Sequence, residues 1–451
     1  MGRKKDREKQ QDFWVAASEI VSTPGHVYYE RLNTVLAAEK FDQRVEALCR
    51  KYYKSSSGRP SMTPGTYFRM LLLGYFEGID SERGIAWRAA DSLSIRKFLG
   101  YDLSEPTPDH STVSRTRRLY SVPTHRAVMQ WVLKILRKHG LAQGQTVCID
   151  ATTLQANAAM KSLVRRDTGI GYDEYLRQLA QAEGIENPTK EEAARLDRKR
   201  KKKASNDDWT NPNDPSARIT KMKDGRTKLA HKAEHAVDLS DGAVLAVTVQ
   251  PADRGDTASY VETLDAAQRE ASKAHPDGIE EVVLDKGYHS GAVLMKLAER
   301  NLRSYVPEPE RGRRKWAGKP QEQHCVYANR RRVRGARSKR LQKLRGELCE
   351  RSFAHCYETG AMRRVHLRGS DNVLKRVLVH VAAFNIGLLL RKLSGWGKPR
   401  AAFGSWKACL RPLDLFAALA TFICAMAERL RRLPLQYLSG FRPASVFLAV
   451  A

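Results

Sequence analysis

Two aspartates, Asp150 and Asp285, each close a short apolar run, Thr146-Val147-Cys148-Ile149-Asp150 and Glu281-Val282-Val283-Leu284-Asp285. Such runs read as buried strands, and a charged carboxylate at the end of one is costly unless something binds it. A divalent cation would do so. A third acid, Glu350, sits in the Arg-rich helical stretch Glu350-Arg351-Ser352-Phe353. Three carboxylates, with water and substrate oxygens, suit hard cations and a two-metal site, the arrangement that phosphodiester chemistry needs.

Acids so far apart in sequence must be positioned by a fold, and the pattern along the chain indicates which. Residues from about 10 to 135 carry apolar side chains at helical spacing, as in Tyr67-Phe68-Arg69-Met70-Leu71-Leu72. Within this part, Pro108 and Asp109 open a helix that carries Arg115, Arg117 and Arg118. It resembles the second helix of a helix-turn-helix, and it fits equally a solvated basic helix in a bundle. From Thr146 the pattern turns to α/β, with the first strand ending at Asp150. A polar stretch at about 161–223, holding the basic run 195–203, reads as an insertion, part helix and part loop. Asp224-Gly225 and Asp241-Gly242 are hairpin signals around strands at 229–238 and 243–249. A helix at 257–273, a strand at 282–285, a helix at 290–300, a strand at 303–306 and a helix at 338–355 follow. The order β, ββ, α, β, α, β, α is the RNase H-like plan, an α/β core with a mixed five-stranded sheet flanked by helices. The sequence thus predicts an all-α N-terminal domain (1–140), this catalytic core (141–390) and a helical C-terminal tail (391–451).

Charge points to the partner. Lys and Arg number 79 against 50 Asp and Glu, a formal excess of +29, which favours a polyanion and above all DNA. The apolar runs 377–390 and 415–427 fall short of the roughly 20 residues a spanning helix requires, so no membrane partner is expected. No apolar segment follows the basic start Met1-Gly2-Arg3-Lys4-Lys5, so no signal peptide is expected and the protein is placed in the cytoplasm, on the nucleoid. Seven scattered cysteines, none in Cys-x-x-Cys spacing, argue against a disulfide framework, and Cys349, His355 and Cys356 lack a fourth ligand for zinc.

Several motifs together resemble the DDE transposases of bacterial insertion sequences, in the branch with an InsH-type N-terminal helical domain. They are Thr63-Pro64 through Arg118, then Ile149-Asp150-Ala151-Thr152-Thr153, Leu284-Asp285-Lys286-Gly287-Tyr288, and Glu350-Arg351-Ser352-Phe353-Ala354-His355. The resemblance covers about residues 60 to 390. It implies that Asp150, Asp285 and Glu350 are the catalytic triad, holding two Mg²⁺ ions, with Mn²⁺ as the alternative, during cleavage and strand transfer at element ends. Pairing two ends implies a homodimer on double-stranded DNA. Many relatives carry Tyr-x2-Arg-x3-Glu-x6-Lys around the last acid; counted from Glu350, this chain has Lys343, Gly346 and Tyr357 instead. Arg345, Arg351 and Arg363 are expected to supply the positive charge.

Rival readings accompany these assignments. Glu347 lies three residues before Glu350 on the same helical face, and the Glu-Arg-x-Phe context favours Glu350. Lys286, Tyr288 and His289 either approach the scissile phosphate or bound the turn at Gly287. Lys199, Arg200, Lys201 and Lys202 either contact the DNA backbone or form a solvated face. His231 and His235 share one strand face and Glu234 the other, which argues against a second metal site and for sheet-surface residues near DNA. Asp256 reads as an N-cap rather than a catalytic acid. A nuclease that cuts without joining, or a DNA-binding regulator with no catalysis, are the alternative functions.

Overall fold

The structure, a computed structural model, describes residues 26–53, 61–185, 187–199, 205–222, 224–310, 312 and 314–404. The expected helical tail therefore lies mostly outside the described residues, with the whole of the apolar run 415–427.

Among the described residues, the first seven α-helices follow from apolar spacing and local caps. They are α1 (Val27–Ala38), α2 (Phe41–Cys49), α3 (Pro64–Glu77), α4 (Glu82–Asp91), α5 (Leu93–Leu99), α6 (His110–Leu119) and α7 (Val122–Lys138). Thr63, Ser81, Ser92 and Asp109 each accept a backbone N–H in the first turn of the helix they precede, satisfying donors that would otherwise be orphaned. α3 is buried all round, because α2, α4, α5 and the long C-terminal helix surround it. Ten residues, 100–109, separate α5 from α6, and α6 packs on α4. That connection is too long for a helix-turn-helix, so the bundle reading of α6 fits.

The α/β half is built on one mixed sheet. Its strands are β1 (Thr146–Gln155), β4 (Arg218–Lys221), β5 (Thr227–Asp238), β6 (Val244–Pro251), β7 (Glu281–Leu284) and β8 (Arg303–Tyr305). The pairing order is β4-β5-β1-β7-β8, with β6 also on β5. β1 is antiparallel to β5 and parallel to β7, and β7 is parallel to β8. The sheet has six strands where the sequence predicts five, because β4 pairs with the start of β5 and β6 with the rest of the same edge. The Asp224-Gly225 turn makes this possible, with Gly225 at φ +80° where a side chain would be strained. Helices α10 (Asp256–Ala271) and α13 (Ala336–Phe353) both pack on β1 and β5, and α11 (Gly291–Glu299) and α12 (Pro320–Arg334) pack on each other and on β8.

Two further departures concern the insertion and the last core helix. The insertion contains α8 (Tyr172–Ala182) and α9 (Lys190–Lys199), and also a small ladder of β2 (Val164–Arg165) with β3 (Trp209–Thr210). It folds around its own apolar cluster, in which Trp209 meets Leu163, Ala217 and Leu229 and is flanked by Tyr172 and Tyr175. Helix α14 (Ser370–Ser394) has the length and composition to cross a membrane, but 89% of its most apolar window is buried in the fold. Burial, not length, is what makes it a core helix. Its Asn385 side chain is hydrogen-bonded to both backbone groups of Val244, pinning α14 to β6.

Candidate active site

β1 does not end at Asp150. It continues to Gln155 because β5 keeps pairing, with Asp150 opposite His235 and Gln155 opposite Ala230. The pairing with β7, however, stops at Ile149 opposite Leu284. The edge of β1 freed beyond that point is taken up later, where Gln155 N–H donates to Arg363 O and Val365 N–H to Gln155 O. Asp150 therefore faces the gap where β7 leaves the sheet, and Asp285 is the first residue past β7. A charged residue at mid-strand is tolerated because the neighbouring strand has ended.

α13 crosses this gap. Gln342 Nε2 donates to the carbonyls of Leu284 (3.3 Å) and Tyr305 (2.9 Å), fixing the helix to the ends of β7 and β8. One turn on, Arg345 donates from Nη1 to Asp150 Oδ2 (3.0 Å) and from Nη2 to Asp285 Oδ1 (3.4 Å). Further along, Phe353 lies against the His235 ring, anchoring the helix to the sheet. One guanidinium thus bridges the two aspartates that the sequence singles out.

Asp150 is electrostatically strained. Burial pushes the Asp150 carboxyl above its ordinary range; the Ala151 N–H and Arg345 oppose that change, while Asp285 and Asp256 add to it. Keeping Asp150 charged requires compensating positive charge, and the donor set of two carboxylates suits a hard divalent cation. The Glu350 side chain is exposed and has no hydrogen bond or ion pair among the described residues. Its neighbour Leu348 lies against Gly242 at the far end of β5. Glu350 comes five residues after Arg345, about 140° round the helix from the side chain that touches the aspartates. No group of three His, Cys, Asp or Glu is close enough to hold a metal among the described residues. The structure brings Asp150 and Asp285 together and leaves Glu350 out of contact with them.

The turn after Asp285 rests on a buried network that sequence reasoning missed. Residues Lys286–Tyr288 form a short 3-10 turn. Tyr288 is buried and donates to Glu234 Oε1 (3.0 Å), which also accepts from Ser259 (2.9 Å), while Thr263 donates to Oε2 (2.5 Å). Burial raises the Glu234 pKa. Lys232, two residues away on the same face, donates to Ser259 and Asp256. Gly255, not Asp256, occupies the cap of α10, and Asp256 pairs with Lys232 instead. Asp256 also lies beside the turn: a Cβ at Gly287 would stand 3.2 Å from its Oδ2. The alternation of β5 was the available signal, since it sends Lys232 and Glu234 one way and His231 and His235 the other.

Those histidines are buried rather than on the sheet surface. His231 meets Asp214 at 3.1 Å, and His235 is held between Ser352 Oγ (3.0 Å) and Tyr357 OH (2.6 Å). Burial pushes His235 down to about 3 and His125, in the helical bundle, down to about 4. A base whose folded pKa lies below its unfolded value near 6.5 binds fewer protons folded than unfolded between the two. Stability is then present above about pH 6.5 and is lost as pH falls through that window, at up to about 1.4 kcal/mol per histidine for each pH unit. The urea midpoint is expected to drop between pH 7 and pH 5; a midpoint constant over that range would contradict this.

The residues proposed for DNA divide sharply. Arg115 and Arg118 are exposed on α6, but Arg117 is buried, ion-paired with Glu82 at 2.7 Å and bonded to Ser114. It is a structural residue. Arg117→Ala is expected to destabilise the fold by about 3–5 kcal/mol by stranding the Glu82 charge, and Arg118→Ala to change it by less than about 0.5 kcal/mol; equal urea midpoints for the two variants would refute this. Lys199 is exposed at the end of α9, whereas Arg200, Lys201 and Lys202 lie outside the described residues. The Lys286 side chain is exposed with no partner among the described residues. Arg351 is ion-paired with Glu347, and Arg363 donates to Thr152 Oγ1 (2.8 Å) and Thr153 O (3.1 Å) on β1.

Residues 141–386 match the family model described as transposase DDE domain, and residues 16–119 match the one described as transposase domain (DUF772). No curated protein matches the chain.

Proposed function

The chain belongs to the DDE transposases of insertion sequences, enzymes that act on DNA, because the DDE-domain match spans more than half of it, and we propose that it cuts and rejoins DNA at element ends with Asp150, Asp285 and Glu350. The observation that supports this reading is the bridging of Asp150 and Asp285 by Arg345, so that one positive group contacts both carboxylates where β7 leaves the sheet. The family implies a divalent cation, and Mg²⁺ is the ion that best suits a few carboxylates open to phosphate oxygens. Bound there, it would activate the attacking hydroxyl and stabilise the leaving oxygen. Asp150 and Asp285 would hold it, with Glu350 completing the set from α13. Tyr288 and Glu234 fix the turn that carries Asp285, and Arg345 and Lys286 offer positive charge to the phosphate.

The sheet is read as RNase H-like, three antiparallel strands followed by two parallel ones, with β4 an addition beside β6 on the same edge of β5. In the same reading 1–140 is a helical DNA-binding domain, 141–390 the catalytic domain and 391–451 a helical tail. Two copies act together on paired ends, in the cytoplasm. A labelled duplex carrying one element end should be nicked by the protein with Mg²⁺ and, given target DNA, joined to it, and chelation should stop both reactions. Nicking with no joined product under any divalent cation would favour the nuclease alternative.

A further inference from the structure

Helices α2 and α7 enclose an open groove of about 930 Å³ with a strongly basic lining: Lys40, Arg44, Lys134, Arg137, Lys138 and Lys273. Glu39 is the single acid in that lining and is paired with Lys138, while Arg137 and Lys273 share Glu270. Lys40, Arg44 and Lys134 are exposed and have no ion pair or side-chain hydrogen bond among the described residues. Trp131 lines the groove with its ring against Phe41. Three exposed cations with no acid paired to them give the groove a positive field that attracts a polyanion.

The groove has a defined relation to the acids. Helix α10 starts at Asp256, beside the turn that follows Asp285, and ends at Ala271, two residues before Lys273 in the groove wall. Its 16 residues span about 24 Å, roughly seven base pairs of duplex. From this spacing and charge we infer that the α2–α7 groove is a second DNA surface, holding the phosphate backbone of the duplex about seven base pairs from the cut. The inference rests on the transposase reading for its substrate. Contact is through phosphates and carries no base sequence.

The test is a triple variant, Lys40→Asn, Arg44→Gln and Lys134→Gln, in the full chain. Asn suits position 40, where φ is +53°. Binding of a 30-base-pair duplex across a salt series should show the slope of log affinity against log salt flattened by about 2 to 3, as expected for three lost phosphate contacts. Ethylation interference should vanish at phosphates about seven base pairs from the cut. The charge-keeping variant Lys40→Arg, Arg44→Lys, Lys134→Arg should restore both. Nicking of a duplex too short to reach the groove should be the same for wild type and triple variant. An unchanged slope with unchanged interference would overturn the inference. Failure of every protein to nick either duplex would count against the transposase chemistry, and the slope would still decide the groove.

Discussion

Asp150→Asn and Asp285→Asn are each expected to abolish Mg²⁺-dependent nicking and joining while leaving affinity for the element end within about twofold of wild type. Either change removes a charge that a cation needs and keeps the side-chain shape. A loss of about 4 kcal/mol of transition-state stabilisation corresponds to on the order of a thousandfold in rate. The fold should survive, because Asp150 is strained by burial in its charged form and Asp285 stands at the solvent edge. Nicking and gel retardation measured on the same preparations separate chemistry from binding. Substantial cutting by either variant would remove these residues from the site.

The second large effect falls on the third acid. Glu350→Gln is expected to reduce nicking as severely as the aspartate changes, whereas Glu347→Gln should keep most of it. Glu347 is engaged with Arg351 one turn along α13, and exposed pairs of this kind contribute little. The Glu350 side chain has no partner among the described residues and lies about 140° round α13 from Arg345, which touches the acids. For it to join them, α13 must shift on the sheet when DNA and cation bind. The reverse outcome, with Glu347→Gln inactive and Glu350→Gln active, would move the third acid by one turn.

Much of this arrangement was legible in the residues. Apolar runs ending in Asp located both aspartates, and period-two alternation in β5 correctly separated His231 and His235 from Glu234. The Pro108-Asp109 helix start and the Asp241-Gly242 hairpin marked element ends. What stayed hidden depended on tertiary partners. The apolar run of β1 stops at Ile149, yet the strand persists because β5 pairs beyond it, a property of the partner rather than of the run. Helix α12 escaped prediction because it is Arg-rich and buries only Val326 and Asn329, leaving no apolar period. β4 has only four residues, Arg-Ile-Thr-Lys, and owes its place to the turn before β5. Arg117 and Arg345 look alike as basic residues on helices; only the fold shows one buried against Glu82 and the other lying across the acid pair.

The claim that Asp150, Asp285 and Glu350 hold the catalytic cation is most directly tested by letting a bound metal mark its own site. Fe²⁺ loaded in place of Mg²⁺, in the presence of DNA and with ascorbate and peroxide, cuts the polypeptide backbone next to where it is held. The fragments should end near residues 150, 285 and 350, should fade as Mg²⁺ competes, and should disappear in Asp285→Asn. Cuts clustered elsewhere in the chain, or the same pattern persisting in Asp285→Asn, would contradict the account.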